Sequence, residues 1–388
     1  MKTLYFDHCA STPPYEQVVR TVGELMAQHY ANAAALHRSG VEAARLVERA
    51  RAAVAERMGA RPEEVVFTSG GTEGNNLALK GVYFASSRRG PKHIVTTPIE
   101  HASVDQTVRQ LQRWGATVTY LPVDATGRVS AADVAAALRP ETVLVSVMHV
   151  NNETGVIQPV EEIGRLLAGH PRVRFHVDGV QAVGKVPLDW AASGIDLYTA
   201  SAHKFRGPKG AGFMLVREGT PLEPLLAGGG QEGGLRSGTS NVAGIVGTAQ
   251  ALRLAMETRE ARAAKMHRLR RQLLGLVRGI PELVLNVPEE AEAVAPHVVN
   301  VSYPGMRPEV LVHLLEEQGV LVSTQSACSS KSLKPSRVLL AMGLDEARAA
   351  GSIRISLGDE HTEEDICLLA ERLGAAVAKL KPLERSMR

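Results

Sequence analysis

Between about residue 60 and residue 220, short β-branched runs alternate with helical stretches, and this alternation limits the fold more than any other feature of the chain. The runs are Val65–Thr68, His93–Thr97, Thr117–Leu121, Val143–Val150, Val173–Val177, Ile195–Thr199 and Gly212–Val216. Helical patterns such as Ala43–Met58 and Val160–Leu167 accompany them. Parallel neighbours need a long crossover connection, and a helix supplies it. The alternation therefore predicts an α/β fold, a mostly parallel sheet flanked by helices. In such a sheet, ligands bind beyond the carboxyl ends of the strands.

The chain is 44% hydrophobic but only 4% aromatic, so its core has to be built from Val, Leu, Ile and Ala. At 388 residues it is long enough for one large domain and a smaller one. Val242–Glu257 and Ala261–Val277 read as long amphipathic helices, and the second is expected to open the smaller α/β domain. That domain would hold His297–Val301, Glu309–Gln318, the loop around Cys328, Ser352–Ser356 and a last helix over Glu363–Leu380. The expected division is residues 13–257 for the large domain, and residues 1–12 with 258–388 for the small one.

A net charge of +3 with acids and bases interspersed gives no case for nucleic acid or a membrane surface. Three widely spaced cysteines, Cys9, Cys328 and Cys367, exclude a disulfide framework and fit a reducing compartment. With no signal-like leader and no membrane-length apolar run, a cytoplasmic protein is the expectation.

Polar groups follow the predicted strands closely. Ser69-Gly-Gly-Thr-Glu-Gly74 follows the first run and opens a helical stretch, a geometry whose bare N–H groups suit a phosphate. Glu100-His101, Asn151-Asn152 and Asp178, with Gln181 one helical turn later, follow others. Taken singly, each has an ordinary reading: a satisfied histidine, turn asparagines, a helix cap. Ser201-Ala-His-Lys204 follows the run at Ile195 and leads into the Gly/Pro-rich turn Arg206–Gly212. A lysine in a tight loop at a strand end can lose hydration and form a Schiff base with a carbonyl. Together, a ring, an amide, a carboxylate, a phosphate cradle and an amine at one sheet edge are what pyridoxal 5'-phosphate requires. An anion at its pyridine nitrogen keeps the ring protonated as an electron sink.

With these residues placed, the chain resembles the cysteine desulfurases, the NifS/IscS-like branch of the class V aminotransferases. The resemblance rests on Thr68-Ser-Gly-Gly-Thr-Glu73, Glu100-His101, Val150-Asn-Asn-Glu-Thr-Gly155, Asp178-Gly-Val-Gln-Ala-Val-Gly-Lys185, Ser201-Ala-His-Lys204, Arg236-Ser-Gly-Thr239, Ser326-Ala-Cys328 and Ile353-Arg-Ile-Ser-Leu-Gly358. It implies the type I fold of pyridoxal-phosphate enzymes, like that of aspartate aminotransferase. It also implies roles. Lys204 would be the Schiff-base lysine and His101 the ring-stacking residue and a proton shuttle. Asp178 would pair with the pyridinium nitrogen, and Gln181 and Asn152 would reach the phenolic oxygen. Gly71, Thr72, Ser201 and His203 would hold the phosphate, joined by Thr239 from the partner subunit of a homodimer. Arg354, with Asn152, would bind the substrate carboxylate.

Cys328 separates a desulfurase from other enzymes with this cofactor. It lies in Ser323–Leu333, a small, polar, serine-rich stretch that reads as an exposed loop. The resemblance makes it the nucleophile that takes sulfur from L-cysteine as a persulfide, leaving L-alanine. The sulfur acceptor would be an iron–sulfur scaffold protein or another carrier. No resident metal is expected, with Cys328 a transient ligand to a cluster shared with a scaffold. Cys367, inside Asp365–Ala370, reads as a buried small hydrophobe, and Cys9 stays open. Departures from the family pattern stand at His8-Cys9, Ala33–Ala35, Ser240 and Asp359. A selenocysteine lyase, another pyridoxal-phosphate enzyme on the same scaffold, and a non-catalytic sulfur-transfer docking subunit are the competing readings.

Overall fold

The computed structural model describes residues 2–288, 293–325 and 334–387, with side chains to residue 382. The chain enters through strand β1 (Leu4–Tyr5) and helices α1 (Glu16–Gln28) and α2 (Arg38–Met58). The central sheet comes next as β2 (Val65–Thr68), β3 (His93–Thr96), β4 (Thr117–Tyr120), β5 (Thr142–Ser146), β6 (Arg174–Asp178), β7 (Leu197–Ser201) and β8 (Gly212–Val216). Crossovers are made by α3 (Gly71–Ala85), α4 (Ala102–Arg113), α5 (Ala131–Ala137) and α6 (Val160–Leu167). The spatial order is β2-β8-β7-β6-β5-β3-β4. Only β8 runs against its neighbours; the other pairs within the sheet are parallel. The expected α/β architecture is the one found.

Period-two alternation sorts the strand side chains onto two covered faces. Val65, Phe67, Val145, Phe175, Val177, Phe213 and Leu215 pack with α2, α6 and α7 (Val242–Glu257). Val66, Ile94, Leu144, Leu197, Met214 and Val216 pack with α3 and α4. The apolar pattern predicts strand over the whole of Val143–Val150, yet β5 ends at Ser146. The Met148 N–H donates to the Glu100 carboxyl oxygen at 2.9 Å rather than to a neighbouring strand. The rest of that apolar run becomes a buried loop over the sheet's carboxyl edge.

A second hydrophobic cluster joins Leu4 and Phe6 to α8 (Arg259–Val277), β9 (Val284–Leu285), β10 (Val298–Ser302), α9 (Pro308–Glu317), β11 (Val320–Leu321), β12 (Ser352–Ser356) and α12 (Glu363–Met387). Here β10 lies between β12 and β9, and β1 pairs in parallel with β11. Short helices α10 (Arg337–Ala341) and α11 (Glu346–Ala350) precede β12. Cys367 corrects its expectation: it is exposed, beside the Gln272 amide at 3.2 Å. The buried stripe of α12 runs through Ile366, Leu369 and Leu373, and Cys367 lies one position round the helix from it. Among the described residues no helix is long and apolar enough to cross a membrane.

Several histidines are sealed in this core. His176 bridges Ser146 and Thr199 at 2.9 and 3.1 Å, and His149 meets the Tyr198 hydroxyl at 3.0 Å. Burial pushes His149 down to about 4 and His176 down to about 3. The unfolded chain binds these protons near pH 6.5, whereas the folded protein takes them up only near the lower values. Stability therefore falls as pH drops below about 6.5, by up to about 1.4 kcal/mol per pH unit for each ring. Glu100 works the other way. Burial raises it to about 8, so the folded state keeps a proton that the unfolded chain loses above about 4.5. That gain on acidification is outweighed, because His203 and His361 are also held near 4. A melting series should show the melting temperature falling from pH 6.5 to pH 4.5; a flat profile across that range would contradict the assignment.

Candidate functional site

The carboxyl ends of β2, β3, β5, β6 and β7 open onto one cavity of about 420 Å³. His101, Gly71, Thr72, Asn152, Asp178, Gln181, Ser201, His203, Lys204 and Arg354 all line it, as do Cys9 and Lys209. Ten of the residues singled out from the sequence thus come together from segments far apart in the chain.

Lys204 closes a single 3-10 turn, Ala202–Lys204, directly after β7. Backbone bonds from Ala202 to the Ala211 carbonyl and from Gly207 back to Ala202 pin that turn. The lysine Nζ donates to the carbonyls of Cys9 and Ala10 at 2.5 and 2.8 Å. The Gln181 amide donates to the same Cys9 carbonyl at 3.1 Å. Beneath the turn, Lys185 donates to the Lys204 carbonyl at 2.8 Å, and burial brings Lys185 down to about 8. Arg206 takes a left-handed φ of 66°, unusual for a side-chain-bearing residue. Its guanidinium lies over the Tyr15 ring and pairs with Asp359 at 2.6 Å, which holds the backbone there.

Asp178 is the last residue of β6. Its carboxylate accepts from Asn75 Nδ2 at 2.7 Å and from the Val180 N–H at 3.0 Å. His101 is the N-cap of α4, its Nδ1 accepting from the Ser103 N–H at 3.2 Å and lying 2.8 Å from Ser103 Oγ. Burial lowers its pKa, with Lys204, Arg337 and Arg354 adding to the effect and Asp178 opposing it. The ring is therefore neutral near pH 7. His203 is brought down to about 4 by burial and then by Lys204 and Lys209. It contacts Ser11 Oγ at 3.2 Å.

The two asparagines after β5 divide their work. Asn151 is spent on its own loop, donating to the Ile99 carbonyl and accepting from Glu153 and Thr154. Asn152 lines the cavity, and its carbonyl accepts from Arg354 at 3.0 Å. Arg354, 1% exposed, also pairs with Asp7 at 3.0 Å, while its buried Nε has no hydrogen-bond partner among the described residues. A guanidinium at a cavity wall suits a carboxylate.

The start of α3 suits a phosphate. Gly70 has a φ of 142°, and α3 begins at Gly71, so its first N–H groups have no intrahelical acceptor. A Cβ at Gly71 would come within 2.7 Å of Val180, and one at Gly70 within 3.2 Å of Ser201 Oγ. The glycines thus clear a cradle beside Ser201 that side chains would fill. A cradle for an anion, a carboxylate, a planar neutral ring and a strand-end amine form a donor set that fits pyridoxal phosphate.

Thr239 is exposed and does not line the cavity. Its loop is tied to the first turn of α3 through Arg236 and Glu73 at 2.7 Å. Cys328 lies outside the described residues. Sequence reasoning missed Asn75 and Ser103, although Asn75 stands one helical turn after Gly71 and Ser103 two residues after His101. Among the described residues, His8, Glu360 and His361 gather possible metal ligands within 4.8 Å. The His361 Nδ1 lone pair, however, already accepts from the Gly358 N–H at 2.9 Å.

A family model described as aminotransferase class-V matches residues 4–369. The cysteine desulfurase IscS of Clostridium botulinum is 42% identical over 373 residues, 96% of this chain and 94% of that protein. A solved structure titled NifS-like protein superposes with a TM-score of 0.91 at 38% identity, covering 98% of this chain and 100% of its own. Another, titled SspA in complex with cysteine, gives a TM-score of 0.80 at 36% identity over 93% of this chain and 100% of its own.

Proposed function

The chain belongs to the aminotransferase class-V family, and from that premise we infer that it is a pyridoxal-phosphate-dependent cysteine desulfurase. The observation that carries the reading is the convergence of Lys204, His101, Asp178, the α3 N-terminus and Arg354 on one cavity. Gly71, Thr72, Ser201 and His203 would hold the cofactor phosphate, Asp178 its ring nitrogen, and Asn152 and Gln181 its phenolic side. When bound, the cofactor supplies a Schiff-base carbonyl and an electron sink.

Arg354 binds and orients the substrate carboxylate, with Asn152 at its side. The Lys204 amine takes the α-proton of L-cysteine. His101 would lie against the cofactor ring and would serve as a proton carrier. The Cys328 thiolate attacks the substrate sulfur: an S–S bond forms, the carbon–sulfur bond breaks with its electron pair going to carbon, a proton ends on the former β-carbon, and Lys204 returns the proton it took to the α-carbon. The products are L-alanine and a persulfide on Cys328, with atoms and electrons balanced. Thr239 completes the phosphate site of a partner subunit, so the working unit is a homodimer. The persulfide passes to an acceptor thiol, such as that of an iron–sulfur scaffold protein.

Incubation of the purified protein with L-cysteine should give alanine and protein-bound sulfane sulfur in equal amounts. A keto acid in place of alanine would overturn the reading in favour of an aminotransferase. Turnover of selenocysteine alone would favour a lyase.

A further inference from the structure

Resting on that reading, we propose that Ser103 and Asn75 are positioning residues that lock His101 into the tautomer carrying its proton on Nε2. The hydrogen-bond directions come from chemistry. An Asp178 carboxylate oxygen can only accept, so the Asn75 group 2.7 Å away is its NH2. The same NH2 lies 2.9 Å from Ser103 Oγ and donates there too. Ser103 Oγ, having accepted, directs its own proton to His101 Nδ1 at 2.8 Å. The Ser103 N–H donates to the same nitrogen at 3.2 Å. Two donors on Nδ1 leave Nε2 as the protonated position of a neutral ring.

The chain of contacts runs from the end of β6 through α3 to the start of α4. It therefore ties the carboxylate proposed for the ring nitrogen to the ring proposed to stack on it. Asn75 Oδ1 is buried with no partner among the described residues, so the amide orientation is set by Asp178 and Ser103 rather than by its oxygen. The relay holds the ring against its charged surroundings, which are Asp178 from β6, Lys204 after β7, Arg337 from α10 and Arg354 from β12. A ring free to protonate at Nδ1 would turn away from Ser103 and set a positive charge near Lys204 and Arg354.

Nitrogen-15 NMR of histidine-labelled holoprotein reads the tautomer directly and needs no turnover. The wild type should show His101 with the proton on Nε2. In Ser103→Ala, the loss of one Nδ1 donor should raise the pH at which the ring titrates by at least about half a pH unit. The acid limb of the kcat profile for cysteine should move the same way. The same variant should lose about five- to tenfold in kcat, roughly one net hydrogen bond, with KM within about twofold. Ser103→Thr keeps the hydroxyl and should restore both the ring titration and the profile. An unchanged ring titration and acid limb in Ser103→Ala, a wild-type His101 protonated on Nδ1, or a Ser103→Thr variant no better than alanine would overturn the relay. If the wild type made no alanine from cysteine, the desulfurase reading would fall, while the NMR comparison would still decide the relay.

Discussion

Replacing Lys204 with alanine is expected to remove the visible absorbance band of the bound cofactor and to lower alanine production by at least about 10³-fold. Lys185 and His203 are no substitutes for this amine. Lys185 is buried beneath the turn with its Nζ on the Lys204 carbonyl, and the neighbouring His203 is neutral. The phosphate cradle does not involve the Lys204 side chain, so the variant should still retain the cofactor after gel filtration, detectable by phosphate content. A normal visible band in Lys204→Ala would move the Schiff base elsewhere and undo the site.

The second large effect concerns Cys328. Cys328→Ser is expected to keep the absorbance spectrum and to lose persulfide and alanine formation by about 10²-fold or more, because an alcohol is a far weaker sulfur nucleophile than a thiolate. Two other thiols supply an internal control. Cys9 is buried on the cavity wall, and Cys367 is exposed on α12. Cys367→Ser should leave turnover unchanged, since α12 does not line the cavity. Retained persulfide in Cys328→Ser would transfer the nucleophile to Cys9, and mass spectrometry of the labelled peptide would show which thiol carries the sulfur.

The elements most legible in the sequence are those whose periodicity coincides with their packing. Val160–Leu167, Val242–Glu257, Gly212–Val216 and Ser352–Ser356 have the bounds read from their pattern. The overrun at Val143–Val150 has a physical cause: an apolar run looks the same whether its backbone pairs with a strand or with a buried carboxyl group. Cys367 departs from its expected burial because helical phase, not the apolar neighbours on either side, decides which residue meets the core. The cavity residues are readable because parallel strands bring the loops at their carboxyl ends to one edge. Asn75 and Ser103 are not, since their link is a contact between two crossover helices and neither comes directly after a strand. The two carbonyls that hold Lys204 are likewise hidden, because a backbone oxygen carries no sequence signature.

Those carbonyls belong to Cys9 and Ala10, just after β1, whose Leu4 pairs with Val320. The segment around β1 thus waits for β11, far later in the chain, before it can settle. Until then the amine lacks both of those acceptors, and a half-made chain carries no ordered reactive centre. Sulfur chemistry is thereby withheld until β11 has been made, a safeguard written into the connectivity of the chain.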